Sequence, residues 1–345
     1  MQESETLNSV QLEQVYNADK QLLQNGEMTL LRQPTTGLPI KKIMGAFEEQ
    51  IIYNTFGEVF SREVKLSGSS IYKETYTRDK LGRIKIKDVV QNNQTTSWDY
   101  TYDLRGRLKT VSLNGLLQKT YIFDANGNRT NINDANNQSI YSAGYDAQDR
   151  IQYYTQNSQT TSFYHSNDGC YVQKENQVTH KVHQFNVDAQ NPLLKVDILD
   201  PSNGDKSITY WTDAELKRSA KLLNGLVKSY YVYDKYKRLI AELKPDYSVK
   251  SRFVYLTQGH SPDYMIDMAA EVVYFFVKDQ LGSILKVVKE DGSVLQEVTY
   301  DEFGAILSDT NPGYQPFAYA GGHYDHDTGL VRFGARDWTR KCQIL

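Results

Sequence analysis

The sequence predicts an all-β fold: repeated antiparallel β-hairpins joined edge to edge into a ribbon that curls or spirals into a shell, partial and open-ended at this length. Three observations carry that prediction. The phrase YDLRGRLKTV, Tyr102 to Val111, returns in worn copies along the chain. Aromatic and β-branched residues precede most copies, as in SWDYTY and KSYYVY. Glycine or Asn-Gly stands where a hairpin has to turn.

The copies begin at Tyr53, Tyr76, Tyr102, Phe123, Tyr145, Tyr164, Phe185, Tyr210, Tyr233, Val277, Tyr300 and Tyr324. Their starts lie 19–26 residues apart, with one interval of 44 that spans two periods. Tyr255 stands at the midpoint of that interval, in a copy that has lost its turn. Fixed-period self-similarity of this kind marks a repeat architecture.

Within one copy, the aromatic and β-branched run favours a pleated, half-buried strand. An Asp ends it, because its carboxylate can accept from the backbone two residues on. A Gly three positions after the Asp supplies the positive φ that a tight hairpin or its bulge requires. The returning strand then alternates: RLKTVSL sets Leu108, Thr110 and Ser112 on one side and Lys109, Val111 and Leu113 on the other. The second turn of a unit is written as LNG at Leu113–Gly115, LLNG at Leu222–Gly225 and EDG at Glu290–Gly292, all read as tight hairpin dipeptides. Helical signals are few. Ser4 or Thr6 could cap a helix at the start, and TDAELKRSAKLLNG could run as one from Thr212, although it falls in the repeat frame.

Composition agrees with a thin core. Apolar residues are 39% of the chain, and exchanging the 26 Tyr for the 22 Gly gives about 38% on the scale where globular domains average about 45–50%. Tyr outnumbers Phe by 26 to 12, which suits rings that bury a face and keep the hydroxyl wet or partnered. A formal charge of -3 disfavours nucleic acid and anionic membrane as partners. No apolar run approaches a membrane span, and the N-terminus has the pattern of no cleavable export signal. Cys170 and Cys342 make neither a disulfide framework nor a zinc ribbon.

Tyr-Asp, a turn, Gly, Arg and an aliphatic residue at this period resemble the Rhs or YD-repeat family, which includes the C subunits of insecticidal toxin complexes and the shell of teneurins. The stretch Arg252 to Asp337, with RFVYLTQGHSPDYMI, VKDQLGSILKVV and the run ending GLVRFGARD, resembles the Rhs repeat-associated core domain. This divides the chain into a hairpin-repeat region at 1–251, a core-like shell plug at 252–337 and a divergent tail at 338–345.

The resemblance implies a spiral cocoon around a toxin, cut free by an aspartic autoprotease that pairs an Arg-Asp with a second Asp about a dozen residues on. Arg336 and Asp337 match the first half. The tail WTRKCQIL supplies no second carboxylate, so the expectation is a C-terminally truncated shell fragment that is not an enzyme, its Arg336 and Asp337 an inactive remnant. Expected partners are toxin cargo or further shell segments. The alternative is a cell-surface carbohydrate- or protein-binding module using residues such as Trp98 or Trp211. Family members of this kind are made in the cytoplasm and travel on dedicated secretion machinery or stay at the cell surface.

Other chemistry is weak in the sequence. Asp325, Asp327 and Asp337 invite a carboxylate-pair hydrolase, but Asp325 and Asp327 lie in a repeat turn where backbone hydrogen bonding accounts for them. His180 with His183, and His323 with His326, lack a recurring third ligand, so no metal is expected. No EF-hand or phosphate-binding glycine pattern occurs, and no cofactor is expected. Cys170 reads as a packed or half-exposed small residue. Asn128 formally fits a glycosylation acceptor and nothing more.

Overall fold

A computed structural model describes residues 2–7, 10–187, 193–257, 259–334 and 336–338. Among the described residues there are 32 β-strands, a three-residue 3₁₀ turn at Tyr319–Gly321 and no α-helix. Both helical readings give way to strands. Gln2–Leu7 pairs antiparallel with Val10–Tyr16, and Thr212 closes the strand Lys206–Thr212. Asp213 Oδ1 accepts from the amides of Glu215 and Lys217, both at 2.9 Å, so the Asp turn wins where Thr212 could have been a helix cap.

The chain forms two compact units, one of Thr75–Tyr210 with Leu223–Gly225, the other of Met1–Glu74, Trp211–Leu222 and Leu226–Gln343. In the first, the strands from Ile84–Gln91 to Leu193–Leu199 pair in chain order, each antiparallel to the next. A file of rings runs through it, Tyr141–Tyr154–Phe163–Tyr171–Phe185, with centroids 4.7–5.7 Å apart. In the second unit the same consecutive pairing recurs from Leu226–Tyr233 to Ile306–Asp309. Its core gathers Phe253, Tyr255, Met265, Phe276, Val287 and Phe317. A separate three-stranded sheet consists of His323–Asp325, Leu330–Phe333 and Arg336–Trp338.

The Tyr-Asp phrase has a definite geometry. In the copy at Tyr102, the amide of Gly106 donates to Asp103 O, that of Asp103 to Arg107 O, and Asp103 Oδ1 accepts from Arg105 and Arg107, each at 2.9 Å. Gly106 has φ +81, and the register slips by one between Thr101 and Tyr102, so the turn is a type I turn closed by a glycine bulge. Beyond the bulge Val111 is fully buried, while Thr101 and Thr110 share a hydrogen bond on the exposed side. Asn114-Gly115 and Asn224-Gly225 are two-residue turns with both φ positive. The EDG at Glu290–Gly292 is not one of these. There Lys289 N donates to Ser293 O and Gly292 N to Lys289 O, so it repeats the bulged form, because the Asp falls third in the turn, after Lys289 and Glu290.

Successive copies are tied by their side chains. The phenols of Tyr53, Tyr102, Tyr145, Tyr255 and Tyr300 donate to the carbonyls of Pro39, Ile84, Arg129, Leu239 and Ile284, at 2.7–3.2 Å. Each acceptor is the first residue of a preceding returning strand. The Arg that follows the glycine bonds its own Asp, Arg83 Nε to Asp79 Oδ2 and Arg107 Nε to Asp103 Oδ2, both at 2.7 Å. It then lies over the ring of the next copy, Arg83 over Tyr102 at 4.3 Å and Arg107 over Phe123 at 4.7 Å, and Arg238, which follows Lys237 in the glycine's place, lies over Tyr255 at 4.6 Å. Tyr, Asp, Gly and Arg thus recur because one copy's Asp and Arg hold the aromatic of the next.

Candidate functional site

Arg336 and Asp337 are adjacent on the strand Arg336–Trp338, and the alternation of a strand separates them. Arg336 is exposed and lies opposite Phe333, whereas Asp337 is 2% exposed. Asp337 Oδ1 accepts from Arg218 Nη2 at 2.6 Å and Oδ2 from Arg332 Nη1 at 2.5 Å. Arg332 also donates through Nη2 to the carbonyl of Leu216 at 2.6 Å. Both carboxylate oxygens are therefore engaged by guanidinium groups, an arrangement that fixes a strand against a hairpin.

The same face carries a second ion group. Lys221 Nζ donates to Asp325 Oδ1 at 2.8 Å and Asp327 Oδ2 at 2.7 Å, and Asp325 Oδ1 accepts from the Asp327 amide at 2.9 Å. Local backbone bonding explains Asp325, as its turn position suggests, and a lysine from another hairpin joins it. His323 meets the Tyr231 ring edge-on at 4.7 Å, and burial, with Arg218 beside it, pushes its imidazole down to about 3. Burial raises Tyr233 to about 12. Elsewhere, His183 is buried against Phe185, and burial with Lys174 and Lys181 pushes it down to about 2. Cys170 is partly exposed, its Sγ donating to Asp168 Oδ2 at 3.8 Å, and Cys342 lies outside the described residues.

A buried charge cluster forms where the repeat is most degraded. In the copy after Tyr255 the Tyr position is taken by Lys278, at the register slip between Val277 and Lys278. Lys278 Nζ donates to Asp263 Oδ1 and to the carbonyl of Pro262, both at 2.8 Å. Lys42 Nζ reaches the same Asp263 oxygen at 2.8 Å and Glu49 Oε2 at 2.5 Å, and Arg62 Nη1 bonds Glu49 Oε1 at 2.9 Å. Asp263 Oδ2 accepts from the Leu256 amide at 2.8 Å, closing the loop that replaces the missing turn. Lys42, Glu49, Asp263 and Lys278 are all 5% exposed or less. Burial pushes Asp263 and Glu49 upward, but Lys278 and Lys42 hold Asp263, and Lys42 and Arg62 hold Glu49, below the usual carboxylate range. Phe47 stacks on Phe275 at 4.3 Å, and Tyr264 donates to Asn25 O at 3.0 Å. Hairpins near residue 45 are thereby locked to the 255–278 segment by charge, ring and hydroxyl together.

The family model described as "Teneurin YD-shell" matches residues 2–342. The chain belongs to the teneurin YD-shell family. Among relatives of this YD-shell chain, Teneurin-1 of Mus musculus is 28% identical over 301 residues and Teneurin-3 of Danio rerio 26% over 292. Each alignment covers 83% of the chain and 10% of the relative, so the chain spans about a tenth of the length of the curated relatives it matches. The crystal structure of TcdB2-TccC3 without its hypervariable C-terminal region is similar with a TM-score of 0.44 at 11% identity, covering 99% of this chain and 24% of that one. Among the described residues of the YD-shell chain, no helix is long and apolar enough to cross a membrane.

Sequence reading singled out Asp325, Asp327 and Asp337 but missed Arg332, on the strand beside Asp337, and Arg218 and Lys221, which come from the strand Arg218–Leu223 and meet these carboxylates only through folding. It also missed Lys42, Glu49 and Lys278. A signal for the last was present: VKDQLG carries Lys where YD copies carry Tyr.

Proposed function

We propose that this chain is a wall segment of a container built from YD hairpins, with a geometric rather than a catalytic role. The observation that carries the reading is the relay in which one copy's Arg and strand carbonyl hold the next copy's aromatic ring. A series of such clamps makes a stiff curved wall from units that are marginal alone. Enclosure of a cargo, a toxin in the Rhs-type relatives, follows from that wall and from the family. The doubly paired Asp337 supports a role as a structural tie, since a carboxylate whose two oxygens each accept from a guanidinium is poorly placed to activate water.

The test is imaging of the purified chain by electron microscopy, with small-angle scattering. A curved wall with an internal void is expected. A solid particle with the radius of gyration of a filled globule of this mass would overturn the reading.

A further inference from the structure

The three-stranded sheet of His323–Asp325, Leu330–Phe333 and Arg336–Trp338 pairs, among the described residues, with no strand of the large sheet. Side chains dock it. Arg218 and Lys221, on the strand Arg218–Leu223, reach Asp337, Asp325 and Asp327 at 2.6–2.8 Å. Arg332 reaches back to the carbonyl of Leu216, and His323 meets Tyr231 of the strand Leu226–Tyr233. The chain enters the sheet through Ala320 and Gly321, with φ +52 and +71, where the Ala320 amide donates to Ser283 Oγ at 3.0 Å. The sheet thus follows an anchored turn and rests on the neighbouring strands through charged and aromatic groups.

Within this contact His323 Nδ1 is buried and has no hydrogen-bond partner. In a neutral imidazole one ring nitrogen is a bare acceptor, and leaving it unpaired costs less than burying an unpaired charged donor. An imidazolium makes both nitrogens donors, so here it would bury an N–H that nothing accepts. The charged groups around it are already committed to one another. Arg332 is its cross-strand partner and, with Arg218, holds Asp337; Asp325, two residues on, and Asp327 take Lys221. Glu242, the acid that faces Tyr231, is bonded to Ser229 and Lys250. Burial holds Tyr231 and Tyr233 above the ordinary phenol range, so both stay neutral. Three cations and three carboxylates balance at this face, and a proton on His323 adds a net positive charge with no acceptor for it.

We propose that the C-terminal three-stranded sheet is an acid-released flap, which leaves the strands Arg218–Leu223 and Leu226–Tyr233 when His323 takes up a proton while the rest of its unit stays folded. The docked imidazole is held down to about 3, and a released one returns to near 6.5. Docking is therefore fully present above the released value and weakens as the pH falls below it. The opening equilibrium should rise about 3-fold from pH 7 to 6 and about 25-fold from pH 7 to 5. That range lies above the ordinary carboxylate value of about 4. The flap does not depend on the container role.

The experiment is hydrogen exchange with mass-spectrometric readout on the full chain at pH 7, 6 and 5, corrected for the intrinsic rate. Protection over residues 323–338 should fall about 25-fold between pH 7 and 5, while Ile284–Val288, in the same unit, keeps its protection. His323→Phe keeps a ring against Tyr231 and cannot titrate, so its protection over 323–338 should not change with pH. If the phenylalanine does not dock at pH 7, His323→Gln, neutral and polar, gives the same comparison. Unchanged protection in the wild type, an equal loss over 323–338 and Ile284–Val288, or the wild-type loss persisting in the docked variant would each overturn the proposal.

Discussion

Arg238 lies 4.6 Å over the ring of Tyr255 while the phenol of Tyr255 donates to the carbonyl of Leu239, the residue after Arg238, at 2.8 Å. The ring is therefore held from its face and from its edge by one turn of the preceding copy. Similar pairs join Arg83 with Tyr102 and, without a hydroxyl, Arg107 with Phe123. Binding between neighbours lies in a few directed contacts as well as in buried area.

Tyr102→Phe removes the bond to Ile84 O and keeps the ring under Arg83. A loss of about 1 kcal/mol is expected in urea unfolding, with m unchanged. No loss would mean that the phenol is equally well satisfied by water.

Turn backbones give a paired test. Gly106 has φ +81 and Lys237, in the equivalent position of its own turn, φ +64. Gly106→Ala should destabilise by about 1 kcal/mol and Lys237→Gly should stabilise by somewhat less, because glycine also loosens the unfolded chain. Thermal midpoints moving in the same direction would contradict the turn geometry.

Lys42→Met leaves Glu49 and Asp263 buried with fewer cations. A cost of about 3–5 kcal/mol is expected, with hydrogen exchange accelerated first in Pro39–Met44 and Phe47–Tyr53. Uniform acceleration over the chain would show that the cluster is not a local lock.

Acid sensitivity should come from histidine before carboxylate. His183 is held down to about 2, so between there and its unfolded value near 6.5 the unfolded chain binds a proton that the folded chain does not. Stability must then fall as pH drops from 7 to 5, and His183→Asn should reduce that fall by about 2 kcal/mol in urea midpoints. Asp263 and Glu49, both depressed, add their loss only as the pH falls through and below the ordinary carboxylate range, near 4.

Asp337→Asn would remove the one carboxylate charge that buried Arg218 and Arg332 share, at a cost of about 3–5 kcal/mol. Intact mass over prolonged incubation should be the same for wild type and variant. A fragment seen only in the wild type would restore a catalytic role to Asp337.

The period, the Asp-to-backbone bonds and the positive φ of Gly106 were legible because each depends on residues within one turn. What joins the copies was harder to read. The partner of Tyr102 is a backbone carbonyl, which no residue type announces, and Arg218 and Asp337 are separated by most of the second half of the chain. EDG misled because a two-letter turn signal does not say which residue opens the turn. Leu216, with φ +62 in a glycine's position, shows the fold overriding local preference, which is also why a helix from Thr212 looked plausible.

The phenols of Tyr102 and Tyr145 grip only the strand start just before them, so the gene could gain or lose one whole Tyr-Asp module in the Thr75–Tyr210 stretch without rewriting any other. The same freedom does not extend to the segments joined by Lys42 and Asp263, whose spacing is set by distant partners. Length variation among natural homologues should therefore collect in the middle of the chain and spare its two flanks.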